Sequence, residues 1–131
     1  MRAVAEVGCY KVHMPVRHPA RASRLEQLRA ELRELLPRLI DAETEQVILF
    51  GSTARGSVGS TSDLDLLVVR RDERRPAARV DALYRRLRPR LALDLLVYTP
   101  EELEAAKRTS SFLRSALRDG EVLYDRSRTL A

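Results

Sequence analysis

Apolar residues first recur at helical spacing between residues 23 and 39, where Leu25, Leu28, Leu32, Leu35, Leu36 and Leu39 make one stripe. Ser23 followed by Glu26 has the form of a capping box, so the helix is expected to begin at Ser23. Pro37 is expected to kink or stop it. The stripe is too short for a coiled-coil seam and predicts a helix facing a core.

The period then changes. Gln46-Val47-Ile48-Leu49-Phe50 is a short β-prone run ended by Gly51, and it predicts a buried strand. Gly51 to Ser62 reads as a loop rich in Gly, Ser and Thr, with room for a short helical turn. Asp63 to Arg70 and Leu91 to Tyr98 predict two further strands. Between them Pro76 suits the first turn of a helix whose apolar face is Val80, Leu83, Tyr84 and Leu87. Thr99-Pro100-Glu101-Glu102 is a second helix start, with cap, proline and capping-box glutamate in place. Ser110 or Ser111 opens a last helix closed by Gly120, and Val122-Leu123-Tyr124 predicts a short edge strand. Helices alternating with strands imply an α/β (α+β) fold, a small mixed β-sheet with helices packed on one face. Residues 1–21 lack a sustained period and are expected to form an extended or mobile arm, residues 22–125 the domain, and residues 126–131 a loose tail.

Two of the strands carry charges that a strand does not favour. Asp65 and Asp94 interrupt apolar β-runs, and β-propensity disfavours aspartate there. Alternation puts Asp63 and Asp65 on one side of their strand while Leu64 and Leu66 point into the core. Asp94 lies opposite Leu93, Leu95 and Val97. If the two strands are neighbours, three carboxylates converge. Two carboxylates about 4 Å apart repel by roughly 1 to 4 kcal/mol at effective dielectrics between 80 and 20. The cluster therefore calls for a cation, and oxygen-only donors suit Mg²⁺ or Mn²⁺. A pair of such ions can clamp the attacking and leaving oxygens of a phosphoryl or nucleotidyl transfer. Gly51 lets the chain turn sharply and lets backbone N–H groups approach a phosphate. Ser52 adds a hydroxyl, and Arg55 is a candidate further phosphate contact.

Composition changes the picture little. The 131-residue chain carries a net charge of +5, and only Lys11 and Lys107 among its 24 basic residues are lysines. Spread along helix faces, the arginines do not make a nucleic-acid footprint, and aromatic residues at 5% leave no stacking platform for one. No apolar run is long enough to span a membrane. Cys9 has no partner for an internal disulfide, so a cytoplasmic location is expected. His13 and His18, without a companion Cys or acid, are a weak metal signal.

Gly51-Ser52, ten residues, then Asp63-Leu64-Asp65, with Asp94 in Leu-Asp-Leu-Leu-Val, resembles the signature of the DNA polymerase β-like nucleotidyltransferase superfamily. The resemblance runs from about Glu45 to Tyr124, and the short chain is similar to the minimal nucleotidyltransferases (MNT) paired with HEPN toxins. It implies the polymerase β-like nucleotidyltransferase fold, with ATP as substrate. Asp63 and Asp65 would hold two Mg²⁺ ions. Asp94 would help bind one ion and favour deprotonation of the attacking hydroxyl, and Gly51 and Ser52 would bind the triphosphate. The implied reaction moves AMP to a hydroxyl, in the antitoxin subgroup a tyrosine of a HEPN-domain toxin. His18 has no arginine at the spacing of the toxin's own signature, so any toxin is a separate chain. A non-catalytic module that masks a toxin, and nucleotidylation of a small molecule, are the alternative readings.

Overall fold

The computed structural model describes residues 20–56 and 63–128. In chain order the elements are α1 (Ala20–Leu39), β1 (Thr44–Phe50), α2 (Gly51–Arg55), β2 (Leu64–Arg70), α3 (Pro76–Leu87), β3 (Leu93–Tyr98), α4 (Pro100–Thr109), α5 (Ser111–Asp119) and β4 (Glu121–Asp125), followed by a 3₁₀ turn at Arg126–Arg128. The strands form one mixed sheet in the order β3-β2-β1-β4. β1 runs antiparallel to β2 and β4, while β2 and β3 are parallel, with α3 as the crossover between them.

Helices cover both faces of this sheet, which corrects the expectation of packing on one face. Val47 and Leu49 of β1 and Leu66 and Val68 of β2 pack with Leu28, Leu32 and Leu35 of α1 and Leu83 and Leu87 of α3. Ile48 and Phe50 of β1 and Leu67 and Val69 of β2 point the other way and are buried with Leu103 of α4 and Leu113 and Ala116 of α5. The cause is that β1 and β2 are apolar at consecutive positions. A strand with two apolar faces must be covered twice.

The ends of several elements also differ from expectation. α1 begins at Ala20, so Ser23 lies inside the helix rather than at its cap. Ala20, Arg21 and Ala22 are good helix formers, and the helix extends through them instead of starting on the serine. Pro37 is tolerated in the last turn, two residues before the helix ends. β3 begins at Leu93 rather than Leu91, because the chain leaves α3 through Arg88 in the left-handed conformation (φ 49°) and passes Pro89 first. That connection is fixed by Glu31, a buried acid of α1 that accepts a hydrogen bond from the Arg90 backbone N–H. The residues just after Asp125 are held rather than loose. The Asp125 carboxylate accepts from Ser127 N–H (3.0 Å) and from Gln46 Nε2 (3.0 Å). The remainder of the expected arm, residues 1–19 with Cys9, His13 and His18, lies outside the described residues, as do residues 129–131.

Two predicted helix starts are formed as written. Thr99 accepts from Glu102 N–H at 3.1 Å while the Glu102 carboxylate accepts from Thr99 N–H at 3.0 Å, and Ser110 caps α5 by accepting from Leu113 N–H at 3.0 Å. Among the described residues, no helix is long and apolar enough to cross a membrane.

Candidate active site

The sheet register places the charged residues. Phe50 of β1 is opposite Asp65 of β2, and Asp65 is opposite Asp94 of β3. The three side chains therefore form a row across three strands, all on the face that α4 and α5 only partly cover. Because β2 and β3 are parallel and in register, alternation brings the Asp65 and Asp94 carboxyl groups together.

The pair carries an electrostatic cost. Burial, the charge of Asp94, a hydrogen bond to Asp94 and the charge of Asp63 together push Asp65 up to about 6, while Arg55 pulls in the other direction. Two carboxyls sharing one proton is the expected response of a like-charged pair without a counter-ion.

Gly51 begins α2 at φ +76°, where side chains other than glycine are strained. A Cβ there would collide with Asp65 Oδ2, so a side chain at this position would both strain the backbone and displace the carboxylate packed on it. The turn is tied to the start of β2 by buried Thr53, whose hydroxyl donates to the Asp63 carbonyl at 3.2 Å. α2 has only five residues, so its contribution to anion binding is a few backbone N–H groups rather than a helix macrodipole.

A cavity of about 610 Å³ opens over the row, within the size range of small-ligand sites. Gly51, Arg55, Asp65 and Asp94 line it, together with Phe112, Ser115 and Asp119 of α5. Ser52 and Asp63 are not among its lining residues. Asp63 instead lines a second cavity of about 430 Å³, shared with Asp94, Tyr84 of α3 and the 89–93 connection. Burial and then the charges of Asp94 and Asp63 raise the Tyr84 phenol above its ordinary value, which places its ring beside both acids.

Of the three carboxylates expected to converge, Asp65 and Asp94 are brought together in the first cavity, whereas Asp63 lines the second cavity with Asp94. Among the described residues no group of three or more His, Cys, Asp or Glu side chains is arranged to hold a metal ion as it stands. The reason is that Asp63 precedes the first residue of β2, so strand alternation does not aim its side chain. In donor chemistry the residues fit a hard divalent cation: all are carboxylate oxygens, and Asp65 and Asp94 are a like-charged pair offset only in part by Arg55.

Phe112, Ser115 and Asp119 were not legible as site residues in the sequence. With Ala116 they recur at i, i+3, i+4 and i+7, one stripe of α5 that shares its buried member, Ala116, with the core side of the helix at Leu113. An aromatic residue beside the buried stripe rather than in it is the signal that could have found them.

The description nucleotidyltransferase domain fits residues 25–119 of the chain. No curated protein sequence matches at a significant level. Among solved structures, a protein of Sulfolobus solfataricus described as a candidate nucleotidyltransferase is 22% identical. Its TM-score is 0.60, and the match covers 86% of this chain and 93% of that one. A toxin–antitoxin complex with AMP-PNP matches at 24% identity and a TM-score of 0.49, over 73% of this chain and 72% of that one. A complex of tri-AMPylated Shewanella oneidensis HEPN toxin with its MNT antitoxin matches at 18% identity and a TM-score of 0.40, over 83% of this chain and 76% of that one.

Proposed function

The chain belongs to the nucleotidyltransferase domain family, and we propose that it moves AMP from ATP to a hydroxyl, with a tyrosine of a HEPN-type toxin partner as acceptor. The observation that carries the transfer is the in-register pairing of Asp65 with Asp94 beside a glycine turn. The tyrosine acceptor rests on the resemblance of the motifs to those of the minimal nucleotidyltransferases.

In this reading the triphosphate lies in the larger cavity. The backbone N–H groups after Gly51 and the Arg55 guanidinium bind its oxygens, with Ser52 at the turn as a further donor. Asp63, Asp65 and Asp94 would hold magnesium, which would supply positive charge to offset that of the phosphates. The acceptor enters from the second cavity, since Asp94 borders both cavities and Asp63 borders the second. Its oxygen forms a bond to the α-phosphorus, the bond between the α-phosphorus and the bridging oxygen to the β-phosphate breaks, and pyrophosphate departs. Asp94, whose side chain is exposed, takes the proton released by the acceptor. The walls contributed by α5 and by Tyr84 limit the access of water, which would otherwise compete as acceptor.

Incubation with labelled ATP, Mg²⁺ and a HEPN-type protein tests this directly. Label should appear on a tyrosine of that protein, and the Asp63→Asn and Asp65→Asn variants should transfer none while retaining their circular dichroism. Undiminished transfer by either variant would end the mechanism. A small-molecule acceptor is the second reading, because the second cavity at about 430 Å³ is itself of small-ligand size. Label on a small hydroxyl compound and on no protein would select it.

A further inference from the structure

Phe112 stands out among the described residues as one of two large apolar side chains left exposed, at 58%. It lines the larger cavity together with Gly51, Arg55, Asp65 and Asp94. Its ring meets Phe50 in a T-shaped contact, with centroids 5.8 Å apart and planes at 78°. Phe50 is the residue before Gly51 and the first member of the cross-strand row, so the aromatic pair is built onto the turn itself.

A T-shaped contact engages one ring by its edge and the other by one face. Whichever role Phe112 takes, the contact with Phe50 occupies at most one of its faces, and more than half of the residue is exposed. Ser115 and Asp119 follow at i+3 and i+7 on the same stripe of α5 and flank the ring with polar groups. An exposed phenylalanine fixed against a buried neighbour, at the rim of a ligand-sized cavity with hydrogen-bonding groups beside it, has the properties of a stacking platform for a flat heterocycle.

We propose that Phe112 stacks on the base of the nucleotide, so that α5 holds the base while Gly51 and Arg55 hold the phosphates. This rests on the transfer reading above and adds to it which residue binds the base. Phe112 is a positioning residue, because it touches no reacting atom.

The test is equilibrium binding of two probes in the presence of Mg²⁺: AMP-PNP, which has a base, and inorganic tripolyphosphate, which has none. Loss of a stacked aromatic weakens binding of a base roughly 10- to 100-fold. Phe112→Ala is therefore expected to weaken AMP-PNP by that factor and to leave tripolyphosphate unchanged, while Phe112→Trp retains AMP-PNP. Phe112 is exposed, so the variants are expected to fold, and their circular dichroism checks this. AMP-PNP bound equally well by Phe112→Ala and the natural chain would overturn the stacking role alone, as would an alanine variant that weakens both probes to the same degree. A natural chain that binds neither probe would overturn the transfer reading and the stacking role with it. Normal binding by Phe112→Ala together with dissociation of a dimer would assign the ring to contact with a second copy and overturn the proposal.

Discussion

Asp65 and Asp94 face each other across the parallel strands β2 and β3, and both line the cavity beside Gly51. Burial first, and then the charge of Asp94, raises Asp65 to about 6 from an ordinary value of 3.8. Between those two values the folded protein binds more protons than the unfolded chain, so this group makes stability fall as pH rises from about 4 to 6. A half-buried group is screened by solvent, so the loss is about 1 to 2 kcal/mol rather than the full value of the shift. Asp65→Asn removes it. Without metal, the variant is expected to unfold at higher urea concentration than the natural chain at pH 7 and at a similar one near pH 4. Equal stability of the two proteins at pH 7 would show that the pair is not strained.

Magnesium should act on the same pair. At pH 7.5 the ion is expected to raise the melting temperature of the natural chain, and at pH 5, where Asp65 is largely protonated, to raise it much less. Thermal unfolding at both pH values, with and without Mg²⁺, checks this. Asp65→Asn should show little response at either pH.

Gly51→Ala tests the packing of the turn on Asp65. The new methyl would collide with Asp65 Oδ2 on a backbone at φ +76°, so either the turn or the carboxylate must move. A loss of about 1 to 3 kcal/mol in stability is expected. Nucleotide transfer should fall by more than about tenfold, because displacement of a positioned group by an ångström has that scale of effect. Denaturant unfolding and the transfer assay read the two effects separately.

A structural ion pair away from the site provides a contrast. The Arg79 side chain is only 5% exposed and is held by Glu102 through contacts of 2.6 and 2.9 Å, and the same carboxylate completes the capping box of α4. These contacts hold Glu102 down to about 2. Its contribution to stability is therefore complete above the ordinary glutamate value and is lost as pH falls toward 2. Glu102→Ala would leave a buried guanidinium with the Arg74 carbonyl but without its carboxylate, and is expected to cost about 2 to 4 kcal/mol in urea unfolding. Magnesium-dependent nucleotide binding by the folded variant should be unchanged.

Much of this architecture is legible in the sequence, because local patterns specify it. The β-prone run ending at Phe50, the capping box at Thr99, the cap at Ser110 and the edge strand around Leu123 are all formed. Features that depend on tertiary placement are not legible. Consecutive apolar residues in β1 show that both faces are buried, but not which helices bury them. The capping-box pattern at Ser23 is satisfied by composition, yet the helix continues through Ala20–Ala22. The aspartates show the same division. Alternation correctly sets Asp94 opposite the core residues of β3, and the strand register brings it to Asp65. Asp63 lies just outside β2, where alternation no longer governs its direction, and it faces the second cavity. Phe112 escapes notice because its partner, Phe50, is distant in sequence.

In the proposed function the carboxylates beside Gly51 hold a divalent cation that brings a nucleoside triphosphate to them. Calorimetric titration with AMP-PNP, with Mg²⁺ and then with excess EDTA, for the natural chain and for Asp65→Asn, addresses it most directly. Saturable binding that needs Mg²⁺ and weakens at least about tenfold in Asp65→Asn is the predicted result. Binding that is as tight in EDTA as in Mg²⁺, or unaltered in Asp65→Asn, would contradict it.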